Sequence, residues 1–160
     1  MKNNKIKRIL IALDYDPTAQ KVAETGYLFA QAMGAEVALL HVISDPVYYS
    51  STEYSPIMGF TGYMNLDPIQ LDSVDGLKNE SLNYLNKIKQ HLNDKTIQVH
   101  VKEGDIAATI LETATTLQAD AIVIGSHSRK WLEKILMGSV TEEVLSRSSI
   151  PLIIIPTKKQ

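Results

Sequence analysis

Between Gly125 and Thr141 the chain carries the residue types that can cradle a phosphate. One end reads Gly125-Ser126-His127-Ser128-Arg129-Lys130, and the other reads Gly138-Ser139-Val140-Thr141 and opens a helix. Glycine lets a backbone come close to a phosphate, and N–H groups at a helix N-terminus attract anions. Ser139 and Thr141 add hydroxyl donors, while Arg129 and Lys130 add positive charge. Singly, each residue has a plainer use: a turn or cap for either glycine, an N-cap for Ser139, a solvated surface for the two cations. Only their combined position and composition favour a phosphate cradle.

Other chemistries find no support. The nucleophile elbow Gly-x-Ser-x-Gly is absent, and neighbouring Ser126, His127 and Ser128 are poorly placed to form a serine–base pair. There is no Walker A loop and no Gly-x-Gly-x-x-Gly after the first strand, where the chain reads Asp14-Tyr15-Asp16-Pro17. The absence of cysteine removes disulfides, thiolate catalysis and Cys-ligated metals. His127 without carboxylate partners makes a poor metal site. His41, inside an apolar run, reads as a satisfied core histidine, and His91 and His100 read as exposed. No catalytic residue and no metal ligand is nominated.

The elements that must position the cradle follow from hydrophobic pattern. Ile9-Leu10-Ile11-Ala12-Leu13, Val37 to Ile43, Ala121-Ile122-Val123-Ile124 and Ile150 to Ile155 are short apolar runs suited to strands buried on both faces. Ile97 to Val101 alternates apolar and polar, which fits a sheet edge. Asp16-Pro17 predicts a helix start and Gly34 its end, with Ala19, Val22, Ala23, Gly26, Ala30 and Met33 on one face. The series Leu77, Ser81, Leu85, Ile88 predicts a helix to about His91. A third helix follows Gly104-Asp105, and a fourth carries Val140, Val144 and Leu145. Ser44 to about Asp72 has no period, three prolines and two glycines, as in a functional or partly mobile loop. Its Tyr48, Tyr49, Tyr54, Phe60 and Tyr63 would cover a ligand, form a partner surface or pack locally.

Strands alternating with helices predict an α/β class: a three-layer α/β/α open sandwich, Rossmann-like, with a parallel sheet of five strands. Ligands bind such sheets outside the carboxyl ends of the strands. Asp14, Val42, Ile43 and Gly125 reach that rim, where Asp14 would accept from a ribose hydroxyl or an adenine amine, or else cap the turn to Asp16. Pro151 and Pro156 bracket the last apolar strand, which favours an edge position. Pairing with the same strand of a second chain would cover that edge, as would a loop or helix of the same chain.

The 160 residues suit one domain, 1–160, that includes the long loop 44–72. Sixteen basic and eighteen acidic residues leave a charge of −2 without a basic stripe, which argues against nucleic-acid binding. No apolar stretch reaches the roughly 20 residues of a membrane span, and the N-terminus lacks a signal-peptide core. A cytoplasmic location is the expectation by elimination.

Gly125-x2-Ser128-x9-Gly138-Ser139 resembles the Gly-x2-Gly-x9-Gly-Ser/Thr motif of the ATP-binding branch of the universal stress protein family. Ile9 to Asp14, the strand Leu39-Leu40-His41-Val42, Gly104 and the ending Ser148 to Pro156 are also similar to the family. The resemblance implies an adenine nucleotide alpha hydrolase-like sandwich, ATP in each subunit, and a homodimer joined through Ile150 to Pro156. Ala12, Asp14 and Val42 would line the adenosine end. Gly125, Ser126, His127, Ser128 and Arg129, with Gly138, Ser139, Val140 and Thr141, would hold ribose and phosphates. Magnesium or manganese would accompany the phosphates. Ser128 replaces the motif's second glycine; at a positive φ that costs on the order of 1 kcal/mol. The implied function is a regulatory, stress-response module that alters a protein partner. Slow ATP hydrolysis or autophosphorylation, and a scaffold that binds no nucleotide, stand as alternatives.

Overall fold

A computed structural model describes residues 5–44, 74–126 and 139–157. In chain order the elements are β1 (Arg8–Ala12), α1 (Ala19–Met33), β2 (Glu36–Ile43), α2 (Val74–Leu92), β3 (Gln98–Glu103), α3 (Ile106–Thr116), β4 (Ala121–Gly125), α4 (Ser139–Arg147) and β5 (Leu152–Ile155). The strands form one sheet in the order β3-β2-β1-β4-β5, and every pairing is parallel. The expected three-layer sandwich is therefore the observed fold.

The all-apolar strands are explained by burial on both faces. Side chains alternate across a strand. Ile9, Ile11 and Leu13 accordingly pack with Val22, Ala23 and Ala30 of α1 and Leu77, Leu85 and Ile88 of α2. Leu10 and Ala12 point the other way, into a second core with Ala107, Ile110 and Ala114 of α3 and Val144 of α4. Burial of each large aliphatic side chain contributes roughly 1.5–3 kcal/mol.

Gly26 lets α1 lie close to the sheet. A Cβ there would come within 3.0 Å of Ile11 Cδ1 and of Val123 Cγ1, so the helix rests on β1 and β4 together. Gly34 ends α1 at φ 65°, its N–H reaching the Ala30 and Gln31 carbonyls. Asp105 caps α3 by accepting from the Ala108 N–H at 2.9 Å.

Four local details differ from the sequence expectation. Helix α1 starts at Ala19, because Asp16 Oδ1 accepts from both the N–H and the hydroxyl of Thr18, at 2.9 and 2.6 Å. That side-chain turn takes the place of a first helical turn at Pro17. Strand β5 starts at Leu152, since the Ile150 N–H bonds Ser148 Oγ at 3.0 Å and Pro151 has no N–H. Strand β3 is an edge, as its alternation implies, but it starts at Gln98 and extends to Glu103. His100 on it is half-buried, and desolvation beside Lys102 lowers its ring pKa. The tyrosine-rich stretch, from residue 45 to 73, lies outside the described residues.

Candidate functional site

The strand order places the crevice. From β1 the chain winds outward to β2 and β3, then returns to the other flank of β1 for β4 and β5. The direction of winding thus reverses between β1 and β4, the point where open α/β sheets bind ligands. Ile11 is in register with Val123, so the chain leaving β1 and the chain leaving β4 form facing lips. Ala12 is in register with Leu40, which sets Val42 level with Asp14.

On the β1 lip the sheet ladder runs out after the Leu13 N–H, which bonds the Leu40 carbonyl at 2.8 Å. Side chains take over from there, as buried carbonyls require. His41 Nδ1–H donates to the Leu13 carbonyl at 2.8 Å, and the Tyr84 hydroxyl donates to the Asp14 carbonyl at 3.0 Å. Asp14 is exposed, with Oδ1 accepting from the Asp16 N–H at 2.9 Å. Tyr15 turns inward, and its hydroxyl lies 2.6 Å from Ser81 Oγ. The Tyr15 ring sits 4.4 Å from that of His41 and 4.7 Å from that of Tyr84, edge-on in the second case. Burial raises the pKa of both tyrosines, so their hydroxyls stay protonated.

On the β4 lip the buried Thr141 donates its hydroxyl proton to the Gly125 carbonyl at 2.8 Å. This bond ties the first turn of α4 to the end of β4. Thr141, nominated from sequence for its hydroxyl, directs its one hydroxyl proton to Gly125 in this structure. Ser126 faces β5: its N–H bonds the Ile155 carbonyl at 2.9 Å, and its Oγ accepts from the Thr157 N–H at 3.1 Å. Lys21 of α1 reaches the Pro156 carbonyl at 2.7 Å.

Of the residues nominated from sequence, Asp14, Val42, Gly125 and Ser126 come together at the rim. Ala12 and Val42 are buried on the α3/α4 side of the sheet. Ser139 is exposed and Val140 half-buried at the start of α4, where first-turn N–H groups lack intrahelical acceptors. His127, Ser128, Arg129 and Gly138 lie outside the described residues. Among the described residues, no three His, Cys, Asp or Glu side chains gather into a metal site. His41 is buried and bonded, as its strand position implies. Sequence reading missed Tyr15, Tyr84 and the use of Ser81; the available signal was a serine on the otherwise apolar face of α2.

A doubly wound α/β sandwich with its crevice at the β1/β4 switch point defines a Rossmann-like class of protein. The universal stress protein family model matches residues 5–156, and the chain belongs to that family. It is 29% identical over 155 residues to universal stress protein MJ0577 of Methanocaldococcus jannaschii, covering 95% of this chain and 96% of that relative. It is 26% identical over 166 residues to stress response protein NhaX of Bacillus subtilis, covering 92% and 96% of the two chains. The solved structure of MJ0577 matches with a TM-score of 0.71 at 28% identity, over 98% of this chain and 99% of the other. No helix among the described residues is long and apolar enough to cross a membrane.

Proposed function

We propose that this chain is a cytoplasmic, ATP-binding regulatory protein that works as a homodimer. The observation that carries this reading is the Thr141–Gly125 bond, which sets the start of α4 at the switch-point crevice. N–H groups there, beside Gly125, suit the phosphates. Adenosine would lie toward Asp14, Ala12 and Val42, its ribose or amine donating to the Asp14 carboxylate. Gly125 to Arg129 and Gly138 to Val140 would hold ribose and phosphates, with Thr141 keeping the two halves in place. Magnesium or manganese would accompany the phosphates.

In this reading ATP is a regulatory ligand. It would act by binding one conformation better than another, because only differential affinity shifts an equilibrium. The partner surface is that of a dimer joined through β5. Leu152, Ile153 and Ile154 are only half-buried on that edge, and a second β5 would cover them.

A thermal melt with excess Mg-ATP, with GTP as control, tests the reading. Saturation at about 100 times the dissociation constant adds roughly 2.7 kcal/mol, a rise of several degrees at this chain length. An ATP-selective rise is expected. No rise at millimolar ATP, in protein free of carried-over nucleotide, would identify a scaffold that binds no nucleotide. Sedimentation tests the dimer: wild type should run as two chains and Ile153→Lys as one.

A further inference from the structure

We propose that Tyr84 is a positioning residue of the crevice: by holding the Asp14 carbonyl, it aims the Asp14 carboxylate at the bound nucleotide and makes helix α2 part of the site. The inference rests on the reading above, in which Asp14 contacts the ribose or adenine of an adenine nucleotide.

The geometry of residues 14 to 16 leaves the Asp14 side chain little independence from its backbone. Oδ1 is bonded to the Asp16 N–H within the same turn, so the carboxylate follows that turn. The turn in turn follows α2. Tyr84 bonds the Asp14 carbonyl, and Tyr15, the next residue, is 2% exposed and bonded to Ser81. Ser81 and Tyr84 are three residues apart and therefore share a face of α2. That face packs against the core of β1 and β2. Turning the backbone at Asp14 would require drawing Tyr15 from its place against the His41 and Tyr84 rings, and the bond to the Asp16 N–H holds the carboxylate to that backbone. The bond between Asp14 and Asp16 is compatible with a ligand bond, because a carboxylate offers about four acceptor sites. The raised Tyr84 pKa makes its hydroxyl a donor at every pH the protein would meet.

Two consequences set this apart from ordinary packing. Removing the Tyr84 hydroxyl should weaken nucleotide binding although Tyr84 touches no nucleotide. Filling the crevice should also slow hydrogen exchange in α2, an element that contributes no ligand contact.

The test is a double-mutant cycle on the full chain, reading the Mg-ATP dissociation constant by calorimetry and the ligand-free melting temperature alongside. Asp14→Ala should weaken binding about tenfold, the loss of one charge-assisted hydrogen bond. Tyr84→Phe, which keeps the ring, should weaken binding about fivefold in the wild-type background and less than twofold with Asp14→Ala already present. In wild type, amides of Ser81 to Leu85 should exchange more slowly with Mg-ATP, and Tyr84→Phe should abolish that response. Equal losses in both backgrounds would overturn the positioning role, because Tyr84 would then act through general stability. Unchanged binding in Tyr84→Phe would overturn it outright. Wild-type binding that Asp14→Ala leaves intact would remove Asp14 from the site and the proposal with it. A wild type that binds no Mg-ATP overturns the nucleotide reading itself, a result distinct from the others. Should Tyr84→Phe lower the melting temperature too far for calorimetry, Ser81→Ala in the same cycle tests the same coupling through Tyr15.

Discussion

Gly125 and Asp14 stand on opposite lips of the crevice and are held from very different distances along the chain. The bond to Gly125 comes from Thr141, 16 residues onward, in the helix that follows the same loop. The bond to Asp14 comes from Tyr84, 70 residues onward, and its neighbour Tyr15 is bonded to Ser81, 66 residues onward. The Thr141 bond on the β4 lip spans only 16 residues of chain, and closing so short a span has a small entropic cost. The β1 lip depends on tertiary packing of a separate helix. A change at Thr141 therefore acts on the β4 lip nearby in sequence, whereas a change at Asp14 is shared with α2.

The largest effect should come from the one place that supports both lips. A Cβ at Gly26 would lie 3.0 Å from the Ile11 side chain of β1 and from that of Val123 of β4, so Gly26→Leu must push α1 off both strands. Overpacking of that size costs about 3 kcal/mol, or about 6–12 °C of melting temperature for a domain of this length. Hydrogen exchange should rise on both lips together. An unchanged melting temperature would mean that α1 can shift freely and that the lips do not share this support.

Thr141→Val addresses the β4 lip alone. It keeps the shape of the side chain but leaves the Gly125 carbonyl without its 2.8 Å donor. The cost is about 1–2 kcal/mol, seen as a fall of about 2–8 °C, with a weaker dissociation constant for Mg-ATP. Thr141→Ser should restore both. If the valine variant melted lower yet bound Mg-ATP as wild type does, the start of α4 would not belong to the site.

Ser81→Ala is the counterpart on the β1 lip, removing the Tyr15 hydroxyl's 2.6 Å partner. The expected loss is about 1 kcal/mol, with faster exchange at residues 13–16 and none at Gly125 and Ser126. Faster exchange on both lips would show that the two are one cooperative unit.

The same contrast explains what the sequence disclosed. The apolar runs Ile9 to Leu13 and Ala121 to Ile124 announced strands buried on both faces, and their alternation with helices dictated the sandwich. Gly125 and the Ser139-Val140-Thr141 opening pointed to the β4 side of the crevice, where the bond from Thr141 to Gly125 spans only 16 residues. Even there, the bond from the Thr141 hydroxyl to the Gly125 carbonyl was not legible, since the direction of a side chain in a first helical turn depends on what packs above it. The start of α1 was misplaced at Pro17 because Asp16 offers Thr18 a competing turn. Tyr84 gave no sign at all. A tyrosine among apolar residues reads as core, and only the folded chain shows that its hydroxyl meets the Asp14 carbonyl.

The smallest expected effect belongs to Glu80, beside Ser81 on α2. It is 9% exposed, and burial raises its carboxyl pKa above the ordinary value of 4.5. A raised carboxyl pKa means the folded protein holds that proton more tightly than the unfolded chain. Stability is then fullest below pH 4.5 and falls as pH rises through the folded pKa, after which the cost is constant. Glu80→Gln removes the charge and with it this slope. The variant should match wild type at about pH 4 and melt slightly higher at pH 7, within the ordinary carboxylate titration window. Glu80 is next to Ser81 on α2, so the gain should appear as slower exchange on the β1 lip and leave the β4 lip as it was. A glutamine variant less stable than wild type at pH 7 would mean that the carboxylate has an attractive partner there. Glu80 would then strengthen the support of Asp14 by α2 rather than strain it.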